Sequence, residues 1–131
     1  MNSILVNAIL HELSSKLTDL ATAGRNSMID LRRLPLTPPE YDQLKELLGR
    51  GELAIELNAL GVSKIVETRF SGVWWVTHMN VGGEKVGDVL EVALVPELVG
   101  ATTSEVAVAA ESLSGILLDD STSVADSADP R

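Results

Sequence analysis

The chain has 131 residues, 45% of them hydrophobic, no cysteine, and a formal net charge of −9. That length suits one domain with its own core, and the lack of cysteine excludes disulfides, thiolate metal sites and a cysteine nucleophile. The acidic balance repels phosphate backbones, and Arg32-Arg33 is the nearest thing to a basic cluster, so a basic protein or peptide suits this chain better than nucleic acid.

The first predicted element is a helix from Ile4 to Ala23. Val6, Ile9, Leu10, Leu13, Leu17 and Leu20 recur at helical spacing, and Gly24 supplies a stop. Met28 to Arg32 reads as a short strand. Thr37-Pro38-Pro39-Glu40 places an N-cap Thr, a Pro at the first helical position and a Glu three residues on. This capping box opens a second helix, which Gly49 ends after Leu48.

The period then changes to two. Leu53, Ile55 and Leu57 alternate with Glu52, Ala54 and Glu56, the pattern of a half-buried strand. A turn around Gly61 leads to a strand from Ser63 to Phe70. Ser71-Gly72 is a turn or bulge before a strand from Val73 to Asn80. Gly82-Gly83 is a hairpin connection to a strand from Val86 to Val95, which Pro96 ends. A last helix is expected from Thr103 to Leu118, with Thr102 and Glu105 at capping-box spacing. Residues 119–131 are mostly Asp, Ser and Ala with one Pro and read as a disordered acidic tail. The expectation is one α+β domain over residues 1–118, an antiparallel sheet of four to five strands with helices packed on one face.

Glu67 to Val76, E-T-R-F-S-G-V-W-W-V, holds the only Phe and both Trp. Aromatic side chains bury the largest apolar area per residue, so Phe70, Trp74 and Trp75 are expected to anchor the core or a binding face. Neighbouring strand residues face opposite ways, which sends one Trp into the core and the other to the far face. An exposed Trp beside Glu52 and Glu56 there would be an acidic, aromatic partner site.

Recognisable catalytic chemistry is sparse. His11-Glu12-Leu13-Ser14-Ser15 lacks the second His of a helical zinc motif, and a lone His78 on a strand is a weak metal ligand. Gly82-Gly83 has no Lys-Ser/Thr after it, and no G-x-S-x-G is present. Glu52, Glu56, Glu67 and Glu91 fall on expected strands without a nucleophile or oxyanion motif. No cofactor, metal or catalytic residue is assigned. No apolar run approaches the ~20 residues of a membrane-spanning helix, and the first residues have no basic region of the kind that opens a secretory signal.

Four stretches resemble the HupH/HyaF hydrogenase expression/formation family. They are I-D-L-R-R-L-P-L-T-P-P-E-Y from Ile29, L-L-G-R-G-E-L from Leu47, I-V-E-T-R-F-S-G-V-W-W-V from Ile65 and L-E-V-A-L-V-P-E-L from Leu90. They run in order over residues 5–98 and more weakly to Leu117. The resemblance implies a cytoplasmic, non-enzymatic accessory protein for nickel–iron hydrogenase maturation. Its implied partner is a hydrogenase precursor, the small subunit first, or another maturation protein. Family members are usually about twice this length, with this region at the C-terminal end. Capping explains Thr37, Pro38 and Gly49. Glu67, Arg69, Trp74 and Trp75 have no evident backbone role, and together with Glu52, Glu56 and His78 they form the candidate partner-binding set. Two alternatives stand beside this reading. One is a structural homodimer or larger homo-oligomer built on the Trp face. The other is a carboxylate enzyme of cofactor assembly using Glu67, Glu91 and His78.

Overall fold

Helical and strand periods appear in the structure where the sequence places them. A computed structural model describes residues 2–123. The chain divides into two compact units, residues 1–97 and 98–131, and each is taken by itself.

In the first unit, helix α1 (Ile4–Ala23) is capped by Ser3, whose hydroxyl accepts from the Val6 N–H, and stops at Gly24 in the left-handed region, φ 66°. Strand β1 (Ser27–Asp30) and a 3-10 turn (Leu31–Arg33) follow. Helix α2 (Pro38–Leu48) has the complete capping box. Thr37 accepts from the Glu40 N–H, and the Glu40 carboxylate accepts from the Thr37 N–H. The Thr37 N–H, followed by the Ser3 and Thr37 hydroxyls, holds the Glu40 carboxyl below its usual range. Strands β2 (Ala54–Asn58), β3 (Val62–Glu67), β4 (Val73–Met79) and β5 (Lys85–Val92) complete the unit.

The five strands form one antiparallel sheet in the order β1-β5-β4-β3-β2. Strands β2 to β5 are the expected meander, and β1 adds beyond β5. The strands expected to run to Phe70 and to Val95 end early, at Glu67 and Val92. Thr68 leaves the ladder because its N–H and hydroxyl both donate to the Val73 carbonyl across the Ser71-Gly72 turn. Gly72, at φ 95°, lies against Leu17 and Leu20 of α1, where a Cβ would come within 3.2 Å.

Helices α1 and α2 cover one sheet face. Val6, Ile9, Leu13 and Leu20 of α1 and Leu44 and Leu48 of α2 pack on Ile29, Val73, Trp75, Leu90 and Val92. The other face holds a smaller cluster of Ile65, Trp74 and Val76, edged by Ile55, Leu57 and Val89. An indole buries on the order of 150–250 Å², about 4–6 kcal/mol at 25 cal/mol per Å². One Trp therefore anchors each cluster.

In the second unit, helix α3 (Thr103–Ser123) follows a 3-10 turn (Glu97–Val99). Glu105 and Thr102 bond reciprocally at its start, which holds the Glu105 carboxyl low, the Thr102 backbone bond first. The helix continues to Ser123, five residues into the stretch read from sequence as tail. The remainder of that tail, 124–131, lies outside the described residues. No described helix is long and apolar enough to cross a membrane.

Replacing Thr37 with Ala removes the α2 cap and its reciprocal partner. Urea unfolding of Thr37→Ala is expected to show a loss of about 1 kcal/mol, and an unchanged midpoint would contradict the capping assignment.

Candidate functional site

The candidate residues fall into three places, and most are spent on the fold. Trp75 points to the helix side and is 6% exposed; Trp74 points the other way and is 5% exposed. The alternation of faces is as expected, but the exposed Trp is not found. Each indole N–H has an internal acceptor. Trp74 Nε1 donates to the Ala93 carbonyl at 3.0 Å, and Trp75 Nε1 to Asp88 Oδ1 at 2.6 Å. A buried indole needs such a partner. Phe70, expected to anchor the core or a binding face, is 42% exposed under the Arg69 guanidinium, 4.9 Å from its ring centroid. It edges an apolar groove of about 520 Å³ with Leu10, Leu17, Leu48 and Val73.

Glu67 does have a backbone role, contrary to the sequence reading. Its Oε1 accepts from the Glu52 N–H at 2.9 Å and the Leu53 N–H at 3.2 Å. Its own carbonyl accepts from Gly51, and its N–H donates to Leu53. A Cβ on Gly51 would stand 2.6 Å from Glu67 Oε1 and 2.7 Å from the Thr68 carbonyl oxygen. The Arg69 N–H donates to the Leu48 carbonyl. L-G-R-G-E and E-T-R-F are thus two halves of one clasp between the end of α2 and the β2–β3 pair.

Glu67, Trp74 and Glu91 make one cross-strand row on the face away from α1 and α2, and His78 lies further along β4. Strand spacing puts Glu67 and Glu91 about 10 Å apart and His78 about 13 Å along from Trp74. Each has its own partner. Glu91 accepts from the Glu97 N–H, and the half-buried His78 ring shares a 2.7 Å hydrogen bond with Ser63. Gly87 leaves room for that ring, since a Cβ there would meet it at 2.8 Å. The enzymatic alternative requires these three side chains to converge, and they are arranged separately. Among the described residues no group of three His, Asp or Glu is placed to hold a metal ion.

Glu56 sits on the helix side instead, in a row with Lys64, Thr77 and Asp88. Asp88 went unnoticed in the sequence. Its side chain is buried at the junction of α2, β4 and β5, and a lone buried carboxylate is costly unless bonded. Four groups meet it. Trp75 Nε1 and Thr77 Oγ1 (3.3 Å) donate to Oδ1; Tyr41 Oη (2.5 Å) and Lys85 Nζ (3.4 Å) donate to Oδ2. Tyr41 also meets Trp75 edge-on, with centroids 5.3 Å apart. The signal was available: Asp88 shares the parity of the core residues Leu90 and Val92.

Beside this network a cleft of about 620 Å³ opens between α2 and the β3–β4 surface, with Trp75 and Val66 at its base and Lys45, Arg50 and Lys64 around it. Asp42 and Glu46 line it as well. Lys45 Nζ stands 5.5 Å from both the Tyr41 and Trp75 ring centroids. The arrangement is a concave surface of mixed charge. Tyr41 is not primed as a base, because burial, followed by its bond to Asp88, raises its pKa above the ordinary 10.0. Lys85 is raised too, first by its bond to Tyr41.

Raised pKa values in the folded state favour the protonated forms. Their contribution to stability is complete below about pH 10 and is lost as the pH rises through the folded values. Tyr41 is the only Tyr, so phenolate absorbance reports it directly. The folded chain is expected to titrate above 10.0, the urea-unfolded chain near it. A folded midpoint at or below 10.0 would overturn this network.

The sequence matches the HupH hydrogenase expression protein, C-terminal conserved region, over residues 4–118. It is 40% identical over 93 residues to the hydrogenase expression/formation protein HupQ of Azotobacter chroococcum mcd 1, and 38% identical over 92 residues to HoxQ of Azotobacter vinelandii. Each alignment spans 70% of this chain and 32% of the relative, about a third of its length. The fold matches the solved hydrogenase expression protein HupH from Thiobacillus denitrificans ATCC 25259, with a TM-score of 0.84 and 39% identity, covering 91% of this chain and 99% of that one. With its L-G-R-G-E and E-T-R-F-S-G-V-W-W stretches interlocked around Glu67, the chain belongs to the family of the HupH C-terminal conserved region.

Proposed function

We propose that the chain is a cytoplasmic accessory protein of nickel–iron hydrogenase maturation. It binds a hydrogenase precursor, the small subunit first, or a fellow maturation protein, as a chaperone or scaffold. The observation that carries this reading is the family match over residues 4–118, with relatives named hydrogenase expression/formation proteins.

Within the candidate set, Glu52 and Glu56 are the residues best placed to meet a partner. Both are exposed, and no ion pair joins either to a cation among the described residues. An acidic surface on a chain of net charge −9 suits a basic client segment. The two Trp are buried in the clusters on the two faces of the sheet. Replacing either with Ala would cost about 3–5 kcal/mol of stability, so loss of binding in those variants would report the fold.

The test is retention from lysate containing unprocessed small- and large-subunit precursors. The wild-type chain is expected to hold the small-subunit precursor, and a Glu52→Gln, Glu56→Gln double variant to hold several-fold less at an unchanged urea midpoint. Retention of neither precursor nor a fellow maturation protein would remove the reading.

A further inference from the structure

The β2 strand ends the sheet, and among the described residues no strand pairs with its outer rim. Leu53 accepts from the Glu67 N–H, and Ala59 donates to the Gly61 carbonyl. In an antiparallel ladder, inward- and outward-bonding residues alternate. Leu53, Ile55 and Leu57 therefore bond inward to β3, while Ala54, Glu56 and Asn58 direct N–H and C=O outward. All three of these are exposed. A rim of this kind is a template for another strand.

The side chains select what it would take. On one side of the sheet β2 presents Glu56, with Glu52 just before it. On the other it presents Ile55 and Leu57, at the border of the Trp74 cluster. No Lys or Arg occurs from Gly51 to Ser63. Lys64, directly across from Glu56, is the cation facing this rim, and it makes no ion pair with Glu56.

We propose that the outer edge of β2 binds an extended client segment in which basic and apolar residues alternate, by adding it to the sheet as a sixth strand. The main chain of the segment pairs with Ala54, Glu56 and Asn58. Its basic side chains lie beside Glu52 and Glu56, and its apolar ones continue the Ile55–Leu57 surface. Main-chain bonds provide affinity and alternate side chains provide specificity in this mode. The proposal rests on the client-binding role above and names the chemistry of the client.

A proline at position 56 removes an outward N–H and no bond to β3, a position where sheets tolerate proline. Two probes are used: a ten-residue peptide alternating Arg and Val, and its Glu–Val counterpart. By fluorescence anisotropy the wild-type chain is expected to bind the Arg–Val peptide and not the Glu–Val one. Glu56→Pro is expected to weaken binding at least ten-fold with its circular dichroism unchanged; Ala54→Pro serves if Glu56→Pro does not fold. Wild-type affinity in the proline variant, or no binding of the Arg–Val peptide by the wild type, overturns the proposal. A dimer that Glu56→Pro abolishes assigns the edge to a second copy and also overturns it. Precursor retention separates the two readings. If wild type and Glu56→Pro hold the precursor equally, the edge proposal fails and the maturation role stands. If the peptide binds through the edge and no precursor is held, the maturation role fails and the edge assignment stands.

Discussion

One buried carboxylate sets the geometry of residues 1–97. Asp88, 2% exposed, sits where α2 crosses β4 and β5 and gathers the Trp75 indole, the Tyr41 phenol, the Thr77 hydroxyl and the Lys85 ammonium. Removing it would leave the buried Trp75 donor without an acceptor, at about 1–3 kcal/mol, and the half-buried Tyr41 hydroxyl without its Asp88 bond. Its bonds also fix the register of α2 over the sheet, because Tyr41 is on the first turns of α2 and Trp75 is mid-strand. The cleft above Trp75 owes its shape to that register.

The second constraint is the Glu67 clasp, which explains stretches of sequence that look functional. A glutamate, two glycines and an arginine in fixed spacing resemble a binding motif when only the sequence is in view. In space, Gly51 admits the Glu67 carboxylate, the carboxylate takes two backbone N–H groups, and Arg69 ties β3 to the end of α2. The clasp also delivers the chain into β2 and so presents the β2 edge to solvent. Structure and proposed function meet at this point: the motif residues hold the β2 entry in place, and the exposed, less distinctive Glu52 and Glu56 are the residues proposed to meet a partner.

The elements were legible because their periods are clean. The Val6-to-Leu20 stripe, the Thr37 capping box and the alternation around Ile55 each depend on neighbours in sequence, which a sequence displays. The opposite facing of Trp74 and Trp75 followed from the strand period alone. What was not legible depended on partners far along the chain. The period says which side a Trp takes, but not that Ala93 and Asp88 wait there to accept its N–H. It extended the last strand to Val95, whereas Ala93 turns out of the ladder to bond Gly72, leaving Leu94 exposed. The pairing of β1 with β5 joins segments some sixty residues apart, and nothing local announces it. Glu67 was misjudged for the same reason, since its acceptors' partners lie fourteen and fifteen residues upstream.

In the proposed reading, a scaffold carries the distinctive residues and the outer edge of β2 meets the client. Amide hydrogen exchange along β2, with and without the small-subunit precursor, tests that division most directly. In the free chain, the Ile55 and Leu57 amides are predicted to exchange slowly and those of Ala54, Glu56 and Asn58 fast. On addition of the precursor the second set is predicted to become protected. Fast exchange at Ala54, Glu56 and Asn58 in the presence of bound precursor would contradict the account and place the client elsewhere on the molecule.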